Sequence, residues 1–183
     1  MRHKLFLSRV LLLIAFSLLS ISCGKGEDDS ACLNKPNYNQ SVQEWTVKGD
    51  SMAWNLANLW MAENDGQCGA CVEEQVDSPD ARELQKVVFF IGYNNITKGD
   101  DVKQIAKKYQ AVYNSTNATV KYCIAVPPVS AYKDQIRDLN EEIKLICGSG
   151  YIETWDLPFS SDDGIHPDDN MNLQIKNRIL SIQ

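Results

Sequence analysis

The sequence predicts an α/β fold in three layers, with helices on both faces of a mostly parallel sheet of about five strands. Three observations carry this expectation. From Trp45 onward, strand-prone runs alternate with helical patterns of ten to sixteen residues, the rhythm of βαβ units. Val87-Val88-Phe89-Phe90-Ile91 is an unbroken apolar run, as expected of a central strand covered on both faces. Polar corners follow the predicted strands, at Gly49-Asp50-Ser51, at Gly92-Tyr93-Asn94 and in the loop carrying Asp163 and His166. In a parallel sheet such corners gather at the carboxyl ends of the strands, where sites form.

Taken in order, residues 44–48 form the first strand, and residues 51–62 follow as an amphipathic helix. Asn64-Asp65-Gly66-Gln67-Cys68-Gly69 reads as loop from its Asn, Asp and Gly content, and no second strand can be located between residues 59 and 76. Ser78-Pro79-Asp80 is a helix-start signal, with Pro in the first turn, opening a short helix to about residue 85. Residues 87–91 make the central strand. In residues 100–113, Val102, Ile105, Ala106, Tyr109 and Val112 fall on one helical face. Residues 119–126 are strand, stopped by Pro127-Pro128. A long helix covers 130–146, a further strand 151–155, and a closing helix 168–182 with Pro167 at its entry.

The first 22 residues are read apart from this domain. Arg2, His3, Lys4 and Arg9 precede an apolar run over residues 10–19, and Ser20-Ile21-Ser22-Cys23 supplies small residues at a processing point. This is an export leader, too short to span a bilayer as a stable helix. With cysteine at the cleavage point it resembles a bacterial lipoprotein signal, which implies lipidation of Cys23 as the mature N-terminus. The residue three before Cys23 is Ser20, where such signals usually carry Leu, and an ordinary secretory signal is the alternative. The expected organisation is a lipoprotein signal over 1–22, a polar tether over 23–43 and one domain over 44–183. The expected location is the cell envelope, anchored to a membrane through the N-terminal lipid (an outer-membrane or periplasm-facing position), with secretion as the alternative.

Three of the 18 Lys and Arg residues lie in the leader and all 24 acidic residues lie beyond it, so the mature chain carries a net charge of −9. With no basic stripe, nucleic acid is not an expected partner. The six cysteines are Cys23, Cys32, Cys68, Cys71, Cys123 and Cys147. Export favours disulfides, and Cys123–Cys147 is a reasonable bridge between neighbouring elements. One histidine follows the leader and no paired CxxC motifs exist, so a zinc site is not expected.

Ser51 opens the first helix, where free N–H groups and the positive dipole end favour developing negative charge. His166 has Asp163 three residues before it, close enough for the carboxylate to accept from Nδ1–H and leave Nε2 facing outward. Each feature alone has a plain structural reading: Ser51 as a helix-start residue, Asp163 as a turn acid before the last helix. In combination, Gly-Asp-Ser, Gly-x-Asn and Asp-x-x-His-Pro in this order resemble the SGNH hydrolase family of GDSL esterases and lipases, across Trp45 to the end of the chain.

The resemblance implies a flavodoxin-like SGNH hydrolase fold and a serine ester hydrolase that needs neither a metal nor an organic cofactor, and a monomer is expected. Its nucleophile would be Ser51, its base His166 and the base's orienter Asp163. It implies an oxyanion hole built from the N–H of Ser51, the N–H of Gly69 and the side-chain amide of Asn94, with Gly66 as the alternative to Gly69. Lysophospholipid, O-acylated or acetylated small molecules and glycans are the substrate classes it implies. The chain departs from the family pattern in having Met52 where Leu is usual and Asn95 where Asp is usual. Its second glycine comes only 18 residues after Ser51. Two other readings remain: a non-catalytic binding lipoprotein on the same fold, and a thiol–disulfide redox protein using Cys68-Gly69-Ala70-Cys71.

Overall fold

The computed structural model describes residues 44–182. The leader, Cys23 and the tether lie outside these residues. Five parallel strands form one sheet in the order β2-β1-β3-β4-β5. They are β1 (Trp45–Gly49), β2 (Glu63–Gly66), β3 (Leu84–Phe90), β4 (Ala118–Ile124) and β5 (Tyr151–Ile152). The helices are α1 (Ser51–Trp60), α2 (Tyr93–Thr97), α3 (Val102–Ser115), α4 (Lys133–Cys147) and α5 (Asp169–Ser181). Helices α1 and α5 pack together on one face of the sheet, and α3 and α4 on the other. The three-layer expectation holds, with every strand parallel.

The core lies between these layers. β3 buries Val87, Val88, Phe89 and Phe90 on both faces, as its unbroken apolar run requires. α1 buries Met52, Ala53, Leu56 and Ala57, and α5 buries Met171, Ile175 and Ile179, each a stripe at helical spacing. Three long helices start on aspartate: Asp50 accepts from Met52 N–H, Asp101 from Lys103 and Gln104 N–H, and Asp168 from Met171 N–H. Cys123 of β4 is bonded to Cys147 at the end of α4.

Sheet order places the site. The connection from β1 leads outward to β2 on one side, while β3 lies on the other, so chain direction across the sheet switches at β1 and β3. Gly49 is level with both Gly66 and Phe90 in the ladders. The segments after β1, β2 and β3 therefore open side by side at one edge. Gly49 is required there: its φ is +152°, and a Cβ would stand 2.1 Å from the Phe90 carbonyl oxygen.

Four expectations need correction. The stretch read as loop contains β2, whose Glu63-Asn64-Asp65-Gly66 pairs with β1. Backbone pairing holds it, together with Thr46 Oγ1 donating to Glu63 and Lys48 Nζ to Asp65, so no apolar alternation marks it. The helix expected from Ser78 to about residue 85 is absent. Ser78-Pro79-Asp80 makes only a turn, with Ala81 N–H donating to Ser78, and residues from Leu84 on are taken by β3. α1 stops at Trp60 because Met61 adopts the left-handed conformation (φ 59°) and closes the helix end on Ala57 and Asn58 carbonyls. β5 ends at Ile152, since the Glu153 carboxylate accepts the N–H groups of Thr154 and Trp155 and turns the chain.

Candidate active site

Ser51 is the first residue of α1, set at the end of β1 by the close packing at Gly49. Its Oγ lies 2.8 Å from His166 Nε2, and His166 Nδ1 lies 2.6 Å from Asp163 Oδ2. The first of these contacts joins residues 115 positions apart. The three residues singled out in the sequence thus form one continuous relay.

The loop that carries the relay is tightly tied. Asp163 Oδ1 accepts the N–H groups of Ile165 and His166, each at 2.8 Å, and the Ser161 hydroxyl at 3.0 Å. The loop ends are pinned by Asp168 N–H donating to the Ser160 carbonyl, and by the Ser160 hydroxyl donating to the Asp168 carboxylate. Asn172 Nδ2, from α5, donates to the Pro167 carbonyl at 2.9 Å. Partial burial pushes the Asp163 carboxyl up, but the His166 ring, the two backbone N–H groups and Ser161 outweigh it and hold it well below the usual carboxylate range. It is therefore an acceptor throughout the neutral range, able to orient an imidazole and stabilise its protonated form.

Ser51, Gly69 and Asn94 all line one cleft of about 950 Å³. Asn94 belongs to α2, directly after β3, and its Nδ2 donates to the Ala70 carbonyl at 3.0 Å. One amide hydrogen thus holds the Gly69-Ala70 loop, leaving the other for the cleft. Gly66 does not line the cleft. It ends β2 beneath α1, where a Cβ would stand 2.5 Å from Trp54 N, so close packing of strand against helix accounts for it.

Asn95, one of the two residues named above as departing from the pattern of the resemblance, is fully buried. Its Oδ1 accepts from Val72 N–H at 2.9 Å, and its Nδ2 donates to Glu73 at 3.0 Å and Asp100 at 2.9 Å. Lys108 Nζ closes the ring, donating to the same two carboxylates at 2.7 and 2.9 Å. An amide with one acceptor and two donated hydrogens fits this position, tying the loop after β2 to α2 and α3. Nothing in local sequence announces that network, because its members come from four separate segments.

Asp50 sits directly behind the serine and is fully buried. Met52 N–H donates to its Oδ1 at 2.9 Å, while Oδ2 has no hydrogen-bond partner. Burial raises its carboxyl to about 7, with Met52 N–H, the nearby His166 and the amides of Gly92 and Ala53 offsetting only part of the desolvation. Sequence reading also passed over Trp54, Asn55 and Asn58, which line the cleft. Their spacing of three, four and seven residues from Ser51 puts them on its helical face and was the available signal.

Cys68 and Cys71 are both disulfide-bonded, and Cys71 is buried. The pair is followed by a 3-10 turn, Val72–Gln75, where a redox CxxC would open an α-helix. Among the described residues, no group of three or more His, Cys, Asp and Glu side chains is arranged to hold a metal ion.

No family model matches the chain, and neither does any curated protein. Solved structures do. A member of the lipolytic protein G-D-S-L family from Veillonella parvula superposes with a TM-score of 0.61 at 14% identity, over 75% of this chain and 96% of that one. An acetyl esterase mutant solved with acetate ion gives a TM-score of 0.60 at 13% identity, over 74% and 93%. The OSK domain of Drosophila Oskar gives 0.59 at 14%, over 85% and 95%. At such identities the likeness is one of architecture: the chain has the SGNH hydrolase fold.

Proposed function

We propose that this chain is an exported serine ester hydrolase, held at a membrane of the cell envelope through a lipid on Cys23, and that it works as a monomer. The observation that carries the hydrolase reading is the Ser51–His166–Asp163 relay, with contacts of 2.8 and 2.6 Å, opening onto a cleft. Ser51 Oγ attacks the ester carbonyl as His166 Nε2 takes its proton, and Asp163 keeps Nδ1–H oriented and stabilises the imidazolium. The oxyanion is received by the N–H of Ser51, the free amide hydrogen of Asn94 and the N–H of Gly69. Each such donor is worth roughly 2.7–4 kcal/mol of transition-state stabilisation. His166 then protonates the departing alcohol. Water, activated by the same ring, cleaves the acyl-serine and releases the acid. No step calls for a cofactor. Lysophospholipid and O-acylated small molecules or glycans are the substrate classes considered.

Hydrolysis of short- and long-chain p-nitrophenyl esters by wild type, Ser51→Ala and His166→Ala tests this reading. Turnover in wild type that disappears in both variants is the expected result. Equal activity in wild type and Ser51→Ala overturns the serine mechanism, and a folded wild type with no turnover favours a binding lipoprotein. The anchor is tested separately, by membrane fractionation of Cys23→Ala and by mapping the partners of Cys68 and Cys71. A lipidated Cys23 has no thiol to share, so a disulfide to Cys23 refutes the anchor.

A further inference from the structure

Helix α2 has only five residues and opens on Gly92, which has no side chain to cap it. So short a helix does not hold its own orientation, and the placement of Asn94 depends on ties from outside. Two such ties run to the loop that carries Gly69. Asn94 Nδ2 donates to the Ala70 carbonyl at 3.0 Å, and Val72 N–H donates to Asn95 Oδ1 at 2.9 Å. Two consecutive amides of α2 therefore grip the loop at residues 70 and 72. That grip sets the distance between two of the proposed oxyanion donors, the Asn94 side chain and the Gly69 N–H.

The grip has an anchor of its own. Asn95 Nδ2 spends both hydrogens on Glu73 Oε2 and Asp100 Oδ2, and Asp100 N–H returns to the Asn95 carbonyl at 3.0 Å. Two carboxylates on one amide repel each other unless a cation joins them. Lys108 Nζ does so, at 2.7 Å from Glu73 Oε1 and 2.9 Å from Asp100 Oδ2. Partial burial pushes the Glu73 carboxyl up, but Lys108 and Asn95 outweigh it and hold it below its usual value. The Asn95 amide, helped by Lys108, holds Asp100 down against partial burial. All three groups are therefore charged near neutral pH. Lys108 itself does not line the cleft. It stands on α3, a helix of 14 residues fixed to the sheet by Ile105, Ala106, Tyr109 and Val112.

We propose that Lys108 is a positioning residue for ester hydrolysis, holding Asn94 and the Gly69 loop at the separation an oxyanion requires by acting through Glu73, Asp100 and Asn95. This rests on the ester-hydrolase reading and adds to it a residue outside the cleft. The long helix α3 supplies a fixed point, and the salt-bridged amide transmits it to the short helix α2. An amide is needed at residue 95, because a carboxylate there could accept from Val72 N–H but could not donate to Glu73 and Asp100. The oxyanion forms only as the ester carbonyl is attacked. Loosening its donors therefore slows turnover and leaves substrate binding alone.

The test measures kcat and KM for p-nitrophenyl acetate in the full chain, comparing wild type, Lys108→Met and Lys108→Arg below the melting temperature of each. Lys108 is partly exposed, so the variants keep the core intact. In Lys108→Met, kcat is expected to fall roughly fivefold with KM unchanged, the scale on which residues remote from a site modulate it. Arginine also bridges two carboxylates, so Lys108→Arg is expected to keep most of the wild-type kcat. Introduced into Asn94→Ala, Lys108→Met should cost less than about twofold, because the donor it positions is already gone. The proposal is overturned if Lys108→Met turns over like wild type, or if its loss lies in KM. It is equally overturned if Lys108→Arg loses as much as Lys108→Met, or if the losses from Lys108→Met and Asn94→Ala simply multiply. A folded wild type with no turnover overturns the hydrolase reading, and this one with it.

Discussion

Replacing Asp50 by asparagine isolates the cost of a buried carboxyl behind Ser51. Asp50 has one oxygen on Met52 N–H and the other without a partner, and burial raises its carboxyl from 3.8 to about 7. Between those values the folded chain keeps a proton that the unfolded chain has released. Stability is therefore fullest below the unfolded value, falls as pH rises through the window, and levels off above about 7. At about 1.4 kcal/mol per pK unit, the rise corresponds to about 4 kcal/mol lost across the window. The amide of Asp50→Asn would keep the acceptor for Met52 N–H and carries no charge at any pH. Its NH₂ group stands where Oδ2 lacked a partner, adding a pH-independent penalty of about 1–3 kcal/mol. Urea denaturation of wild type and Asp50→Asn, with disulfides intact, gives the difference at each pH. That difference should shift in favour of the variant by about 4 kcal/mol between about pH 4 and about pH 8. A difference that stays constant over the range refutes the reasoning, whatever its absolute size, because it would mean Asp50 titrates alike in folded and unfolded chains.

Asp163→Asn retains bulk on the loop but replaces the acceptor facing His166 Nδ1, and kcat for p-nitrophenyl acetate should drop on the order of 10⁴-fold while the melting temperature changes little. Asn95→Asp brings a third carboxylate against Glu73 and Asp100 and removes the amide hydrogens they accept. It should cost about 2 kcal/mol near neutral pH and less in acid, measured by denaturant titration at both conditions. Gly66→Ala forces a methyl to within 2.5 Å of Trp54 N, and a loss of about 1–3 kcal/mol, read as a lowered melting temperature, is expected as α1 is pushed from β2.

What was legible in the sequence divides along physical lines. Val87 to Ile91 announced β3 because a strand covered on both faces must be apolar throughout. β2 gave no such sign, since an edge strand of Glu63, Asn64, Asp65 and Gly66 is held by its backbone ladder and by cross-strand polar pairs. Ser78-Pro79 carried a genuine start signal, but a cap needs a helix behind it, and the residues that follow were committed to pairing with β1 and β4. The relay was visible because Asp163 and His166 are neighbours in sequence and Ser51 stands at a predicted corner. The Asn95 network and the amide-rich wall of the cleft were not, because each is assembled from segments that only the tertiary fold brings together.

The separation of Ser51 from His166 also bears on when the proposed chemistry can begin. The proposed nucleophile sits on the first helix of the domain, while its proposed base arrives with the loop ahead of the last one, whose buried stripe docks beside α1. A chain emerging in order therefore displays a serine hydroxyl without its base until a further 115 residues have followed it. Latency is supplied by topology: the relay is switched on when the domain closes its own circle.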